Sequence, residues 1–243
     1  PLLLLHACSA DALRDAQTPP AFAYPQTARI AQVDNYHGTR VEDPYRWLEQ
    51  VDATQTRQWI TAENALAQPY LEGIPARETI KKRLTELWNH ERYSLPVPRG
   101  DRYFYLRNDG LENQSVLYVT DGLHGQPRVL LDPNPLSKDA TIAHAEIMPS
   151  PDGKILAYSL SDGGTDWRTW HFRDVESGTD LPDVLRFIKF ANVQWTADSR
   201  TVYYARYPLR ADGSGDDTKQ REVYWHRLGT AQEADQRVFK IVD

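Results

Sequence analysis

A short turn-and-strand pattern recurs three times along this chain of 243 residues, and it restricts the fold more than any other feature. Gly100-Asp101-Arg102-Tyr103-Phe104-Tyr105 is echoed by Asp152-Gly153-Lys154-Ile155-Leu156-Ala157-Tyr158 and again by Asp198-Ser199-Arg200-Thr201-Val202-Tyr203-Tyr204. From Gly100 to Gly153 to Ser199 the spacings are 53 and 46 residues. Each copy is followed by a second strand-like run at a similar offset, at residues 116–120, 168–173 and 223–228. Units of roughly 50 residues, each with about four short strands, are the signature of propeller blades, sheets that bury both faces only when neighbours stack on them. A sandwich also has short strands and frequent turns, but it gives no reason for one turn to recur at this long period. The expectation is a mainly β chain with about three blades, too few to close a ring.

Ahead of the repeat, residues from about 24 to 91 read as helical. Asp43-Pro44 has the chemistry of a helix start, Asp as N-cap and Pro at the first helical position, before Tyr45-Arg46-Trp47-Leu48-Glu49. A second helix is expected from about residue 54, carrying Trp59, Ile60 and Leu66, with Pro69 breaking or kinking it and Gly73 and Pro75 ending the segment. A third is expected over 77–89, where Ile80, Leu84, Leu87 and Trp88 form one apolar stripe that needs something to pack on. The stripe and Trp59 predict poor solubility for the chain by itself.

Composition narrows the partners. With 28 basic and 34 acidic residues the net charge is -6, and no Lys/Arg run is long enough to track a phosphate backbone, so nucleic acid is not an expected partner. The single cysteine, Cys8, excludes an intrachain disulfide and a cysteine-built zinc site. It follows Pro1-Leu2-Leu3-Leu4-Leu5-His6-Ala7, which reads either as the end of a secretory leader with a lipobox-like Cys or as a disordered terminus with a chance leucine run. Residues 1–23 are therefore expected to be leader and tether. The chain would be periplasmic or lipid-anchored through Cys8 if the leader reading is right, and cytoplasmic if it is not.

No G-x-S-x-G, H-E-x-x-H, P-loop or G-x-G-x-x-G motif occurs. Ser214, in Asp212-Gly213-Ser214-Gly215-Asp216-Asp217, has polar neighbours and no flanking strand or helix, the setting of a loop serine rather than a nucleophile. Asp212, Asp216 and Asp217 lack the ligand spacing and closing Glu of an EF-hand. The histidines His6, His37, His90, His124, His144, His171 and His226 have no partners at metal-ligand spacing, so neither metal nor cofactor is expected. The segment 208–221 is long for a loop within a compact domain, which makes it functional or disordered, with mobility its expected role.

Four stretches resemble one family: Val41-Glu42-Asp43-Pro44-Tyr45-Arg46-Trp47-Leu48-Glu49, Asn108-Asp109-Gly110-Leu111-Glu112-Asn113-Gln114-Ser115-Val116-Leu117-Tyr118, Arg128-Val129-Leu130-Leu131-Asp132-Pro133-Asn134, and Leu181-Pro182-Asp183-Val184-Leu185 through Phe190 to Trp195. They resemble the N-terminal part of the prolyl oligopeptidase family of serine peptidases. The Asp-Pro-Tyr-Trp-Leu element is shared with related oligopeptidases that cut after basic residues, while the Leu-x-Asn-Gln-x-x-Leu-Tyr stretch resembles the proline-specific branch.

The resemblance implies a seven-bladed propeller, of which residues 92–243 form the first blades. It also implies an α/β-hydrolase domain, absent here, on which the helical segment 24–91 packs. It implies a monomeric serine endopeptidase that cleaves short peptides on the carboxyl side of proline, with Ser, Asp and His beyond Asp243. This chain would then supply a substrate-gating propeller and helical support. The resemblance places Phe190 in the substrate pocket; the residue pattern alone equally allows a core aromatic between blades. It also matches residues 211–220, shorter and more acidic here, to a family loop at the mouth between the domains. A free-standing propeller scaffold without catalysis is the alternative from another class, and the strand-like run at 237–243, which breaks off without a closing blade, favours the fragment.

Overall fold

The computed structural model describes residues 22–137, 141–161 and 163–240. Cys8 and nearly all of the expected leader lie outside the described residues, as does the chain from Ile241 onward. The chain divides into two compact units, one up to Arg83 and one from Leu84.

The first unit is less helical than its sequence suggests. Strands β1 (Val33–Tyr36) and β2 (Thr39–Glu42) form an antiparallel hairpin. Its turn places His37 at φ 53 and Gly38 at φ 94, the two positive φ values that a tight hairpin requires. The helix expected at Asp43-Pro44 is only a 3-10 turn, Arg46–Glu49, with Tyr45 at its N-cap. Asp43 is occupied otherwise: it accepts from the Tyr45 backbone N–H at 3.3 Å and from Arg46 Nε at 2.5 Å, and Arg46 also pairs with Asp34 of the hairpin. Helix α1 (Thr54–Glu72) then runs through Pro69. Proline so near the C-terminal end removes one ladder bond, and the last turn closes through the Gly73 N–H on the Pro69 carbonyl at 3.0 Å. Trp59 is half-buried, its Nε1 donating to Thr27 Oγ1 at 3.0 Å, so it is not part of a bare apolar face. Helix α2 spans Arg77–Trp88, and the division between the units falls within it.

Three antiparallel sheets follow. The first contains β3 (Arg92–Tyr93), β4 (Val97–Arg99), β5 (Arg102–Asn108), β6 (Val116–Asp121) and β7 (Arg128–Leu131). Both β3 and β4 pair with β5, so they act as one strand interrupted around Pro96, which has no N–H to offer. Ser94 bridges the interruption: its N–H donates to the Leu106 carbonyl and its Oγ accepts from the Leu106 N–H, each at 2.9 Å. The second sheet is β8 (Ala143–Pro149), β9 (Ile155–Ser161), β10 (Arg168–Asp174) and β11 (Asp180–Ile188), in that order. The third is β12 (Gln194–Trp195), β13 (Thr201–Arg206), β14 (Glu222–Arg227) and β15 (Gln236–Phe239). Each sheet is thus a four-row meander, and the three sequence repeats are its second strands, β5, β9 and β13. None of the sheets closes on itself.

Strand β9 shows why these sheets stack. Leu156 and Tyr158 join one buried cluster with Phe104, Leu117 and Val119 of the first sheet. Ala157, on the opposite face, joins another with Trp170, Phe172, Val202 and Tyr204. The period of two therefore puts both faces of the middle sheet into core. The repeated turns meet as well. The turns at Gly100 and Gly153 pack against each other's backbone, and Ser199, at φ 57, accepts the Asp152 N–H on its Oγ at 3.1 Å. The repeat thus places one docking turn in every sheet.

Candidate functional site

Two non-glycine residues lie in the left-handed region where β11 gives way to β12: Phe187 at φ 65, one residue before the end of β11, and Phe190 at φ 49 in the connection. For a bulky residue that conformation costs about 1–3 kcal/mol and persists only when surrounding contacts hold it. Phe190 is 63% exposed, so among the described residues it is no core aromatic between blades. Burial of its ring does not offset the strain.

The contacts that do hold this turn come from residues 207–221. The Tyr207 N–H donates to the Phe187 carbonyl at 2.9 Å. Arg221 Nη1 donates to the Lys189 carbonyl at 3.1 Å and to the Phe190 carbonyl at 2.9 Å. Lys189 Nζ pairs with Asp217 at 2.8 Å and lies 4.2 Å from the centre of the Trp167 ring. Trp167 in turn meets Tyr207 edge-on at 5.7 Å and packs so closely on Gly215 that a Cβ there would overlap its ring. A cavity of about 280 Å³ lies alongside, lined among others by Trp167, Arg186, Phe187 and Gly215.

The segment 208–221 is itself hydrogen-bonded into a turn: the Arg210 N–H donates to the Ser214 carbonyl at 2.8 Å, and Leu209 bridges Gly215. Ser214 gives its hydroxyl to Asp212 at 2.7 Å, a turn contact rather than the pairing of a nucleophile with a base. Asp217 is taken up by Lys189 and Arg210, and Asp216 by Thr218 and Arg210. The hydrogen bond and charge of Lys189 hold the Asp217 carboxyl below its ordinary pKa. Of the three carboxylates that resemble a calcium loop in composition, Asp216 and Asp217 are thus paired with cations of the chain, while Asp212 accepts from the Ser214 N–H and hydroxyl.

One histidine stands apart. His226, on β14, is fully buried between Asp235, 2.7 Å from Nδ1, and Asp183 of β11, 3.1 Å from Nε2. Tyr204 donates to the other oxygen of Asp235 at 2.6 Å. Because Asp183 belongs to the second sheet and His226 to the third, this polar cluster ties two blades. Its partners are 9 and 43 residues away in sequence, and Arg221 is 31 from Phe190, so no local pattern pointed to either group.

Comparison with known proteins shows the family of the chain. The family described as the prolyl oligopeptidase N-terminal β-propeller domain matches residues 25–243. A prolyl endopeptidase of Elizabethkingia meningoseptica is 38% identical over 234 residues, covering 96% of this chain and 33% of the relative. Prolyl oligopeptidase A of Galerina marginata is 32% identical, covering 90% of this chain and 34% of that protein. Among solved structures, one from a study of two prolyl endopeptidases and their inter-domain dynamics superposes with a TM-score of 0.76 at 36% identity, over 88% of this chain and 32% of that one. Another, prolyl oligopeptidase B from Galerina marginata bound to a 35mer hydrolysis and macrocyclization substrate, gives 0.70 at 31% identity, over 89% and 34%. The chain spans about a third of the length of these relatives. With three stacked sheets of four strand rows each and a family match over nearly its whole length, the chain belongs to the prolyl oligopeptidase family and matches its N-terminal β-propeller domain.

Proposed function

We propose that this chain is the access and pocket-wall portion of a serine endopeptidase that hydrolyses short peptides on the carboxyl side of proline. The observation that carries the reading is the match of 96% of the chain to one third of a prolyl endopeptidase. In this reading residues 92–243 are the first blades of the propeller and residues 24–91 support a hydrolase domain that holds the Ser-His-Asp triad. The stripe of Ile80, Leu84, Leu87 and Trp88 supports that division, since these apolar side chains are exposed among the described residues. Phe190, strained and exposed, lines the pocket away from the scissile bond. The chemistry is acyl transfer through a serine ester, with His as general base and an oxyanion hole for the tetrahedral intermediate. The leader reading of residues 1–23 adds a periplasmic or Cys8-anchored location, and the complete protein acts as a monomer.

Specificity is tested with the complete protein and two short chromogenic peptides that differ only in proline or arginine before the cleaved bond. The expected result is a kcat/KM at least about 100-fold higher for the proline peptide, the discrimination a shaped pocket can give. Faster cleavage after arginine overturns the assignment.

A further inference from the structure

We propose that Arg221 is a positioning residue for Phe190, so that the loop at residues 208–221 sets the aromatic wall of the peptide pocket. The proposal deepens the reading of Phe190 given above and rests on it. One nitrogen, Arg221 Nη1, donates to the carbonyls of Lys189 and Phe190. Those two carbonyls belong to the peptide planes on either side of the Phe190 Cα. Fixing both planes fixes φ and ψ of Phe190, and with them the direction of its Cα–Cβ bond. Phe190 sits at φ 49, a conformation a phenylalanine leaves when released. Its exposed ring brings no packing of its own to hold it there.

The loop grips the same turn at two further points. Its entry, Tyr207, holds the Phe187 carbonyl, and its Asp217 holds Lys189, whose ammonium also rests on Trp167. A displacement of the loop is therefore passed to Phe190 through hydrogen bonds rather than through ring contacts. Phe190 touches the peptide, and Arg221 acts only through it.

The test uses the complete protein with a short after-proline peptide and four variants: Phe190→Ala, Arg221→Ala, the double variant, and Arg221→Lys. Phe190→Ala and Arg221→Ala are each expected to raise KM about tenfold with kcat within about twofold. The double variant should be no worse than Phe190→Ala, because the two residues act as one unit. Arg221→Lys, which keeps a cationic nitrogen with donors to spare, should recover much of the loss. A normal KM in Arg221→Ala beside a raised KM in Phe190→Ala overturns the Arg221 role and leaves the Phe190 reading standing. Effects that multiply in the double variant, or a fall in kcat matching the rise in KM, also overturn it. A normal KM in Phe190→Ala overturns both. A readout free of the peptidase reading is limited proteolysis of the complete protein: chymotrypsin cleavage after Phe190 should be at least about tenfold faster in Arg221→Ala than in wild type if the turn is released. Equal cleavage rates contradict the proposal.

Discussion

Gly100 and Gly153 are packed against each other's turns: a Cβ on Gly100 would lie 2.5 Å from the Asp152 carbonyl oxygen, and one on Gly153 would overlap the carbonyl oxygen of Arg99. The two glycines stand at φ 54 and φ 69. Each thus meets a torsional and a steric requirement at once, where the first and second sheets join.

That pair gives a matched experiment. Gly153→Ala carries the left-handed penalty of about 1–2 kcal/mol together with a backbone collision. Gly178→Ala, also at φ 69 but with nothing within 4 Å, carries the penalty alone. Urea unfolding should show the Gly153 variant destabilised by at least about 1 kcal/mol more than the Gly178 variant. Equal losses would mean that the turns do not dock.

How much of this was legible in the sequence follows from the range of each interaction. The repeat could be read because its turn residues and the strands β5, β9 and β13 are local in sequence. The sequence pattern also located α2 to within a residue. The β1–β2 hairpin was missed because its signal is a single His37-Gly38 turn, and Asp43 was misread because its carboxylate serves Arg46 and the Tyr45 N–H instead of capping a long helix. The Arg221 contacts and the Asp183–His226–Asp235 group depend on side chains brought together by stacking of sheets, which no local period encodes.

His226 gives the pH dependence. Its two ring nitrogens both face carboxylate oxygens, which only accept, whereas a neutral imidazole donates from one nitrogen. Burial opposes the charge, but the hydrogen bond and charge of Asp235, joined by those of Asp183, outweigh it and raise the His226 pKa above 6.5. The stabilisation is therefore complete below the unfolded value of 6.5 and is lost as pH rises through the folded value. The groups around it are Asp183 from β11, Asp235 before β15 with the Tyr204 hydroxyl of β13 on its other oxygen, and the Phe172 ring of β10. His144 and His171, whose pKa values burial lowers, give the opposite slope, so wild type must be compared with His226→Gln. The wild-type urea midpoint should fall more steeply above about pH 6.5 than that of the variant. A His226 ring that titrates at or below 6.5 by NMR would contradict the clamp.

The exposed stripe on α2 makes a prediction about association. Ile80, Leu84 and Trp88 are 55, 55 and 65% exposed, so the 243-residue chain should self-associate and bind a hydrophobic dye such as ANS. Leu84→Glu should lower both, with little change in unfolding free energy, within about 0.5 kcal/mol, because the side chain is already in water. A monodisperse monomer that ignores the dye would show that the stripe needs no cover.

The central claim is that this chain shapes access to a serine nucleophile that it does not carry. The direct measurement is labelling with a serine-directed fluorophosphonate, applied side by side to the 243-residue chain and to the complete protein, with the modified residue located by mass spectrometry. The account predicts stoichiometric labelling of one serine beyond Asp243 in the complete protein, with loss of after-proline cleavage, and no label on the 243-residue chain. Stoichiometric labelling of Ser214 or any other serine within the chain would contradict it.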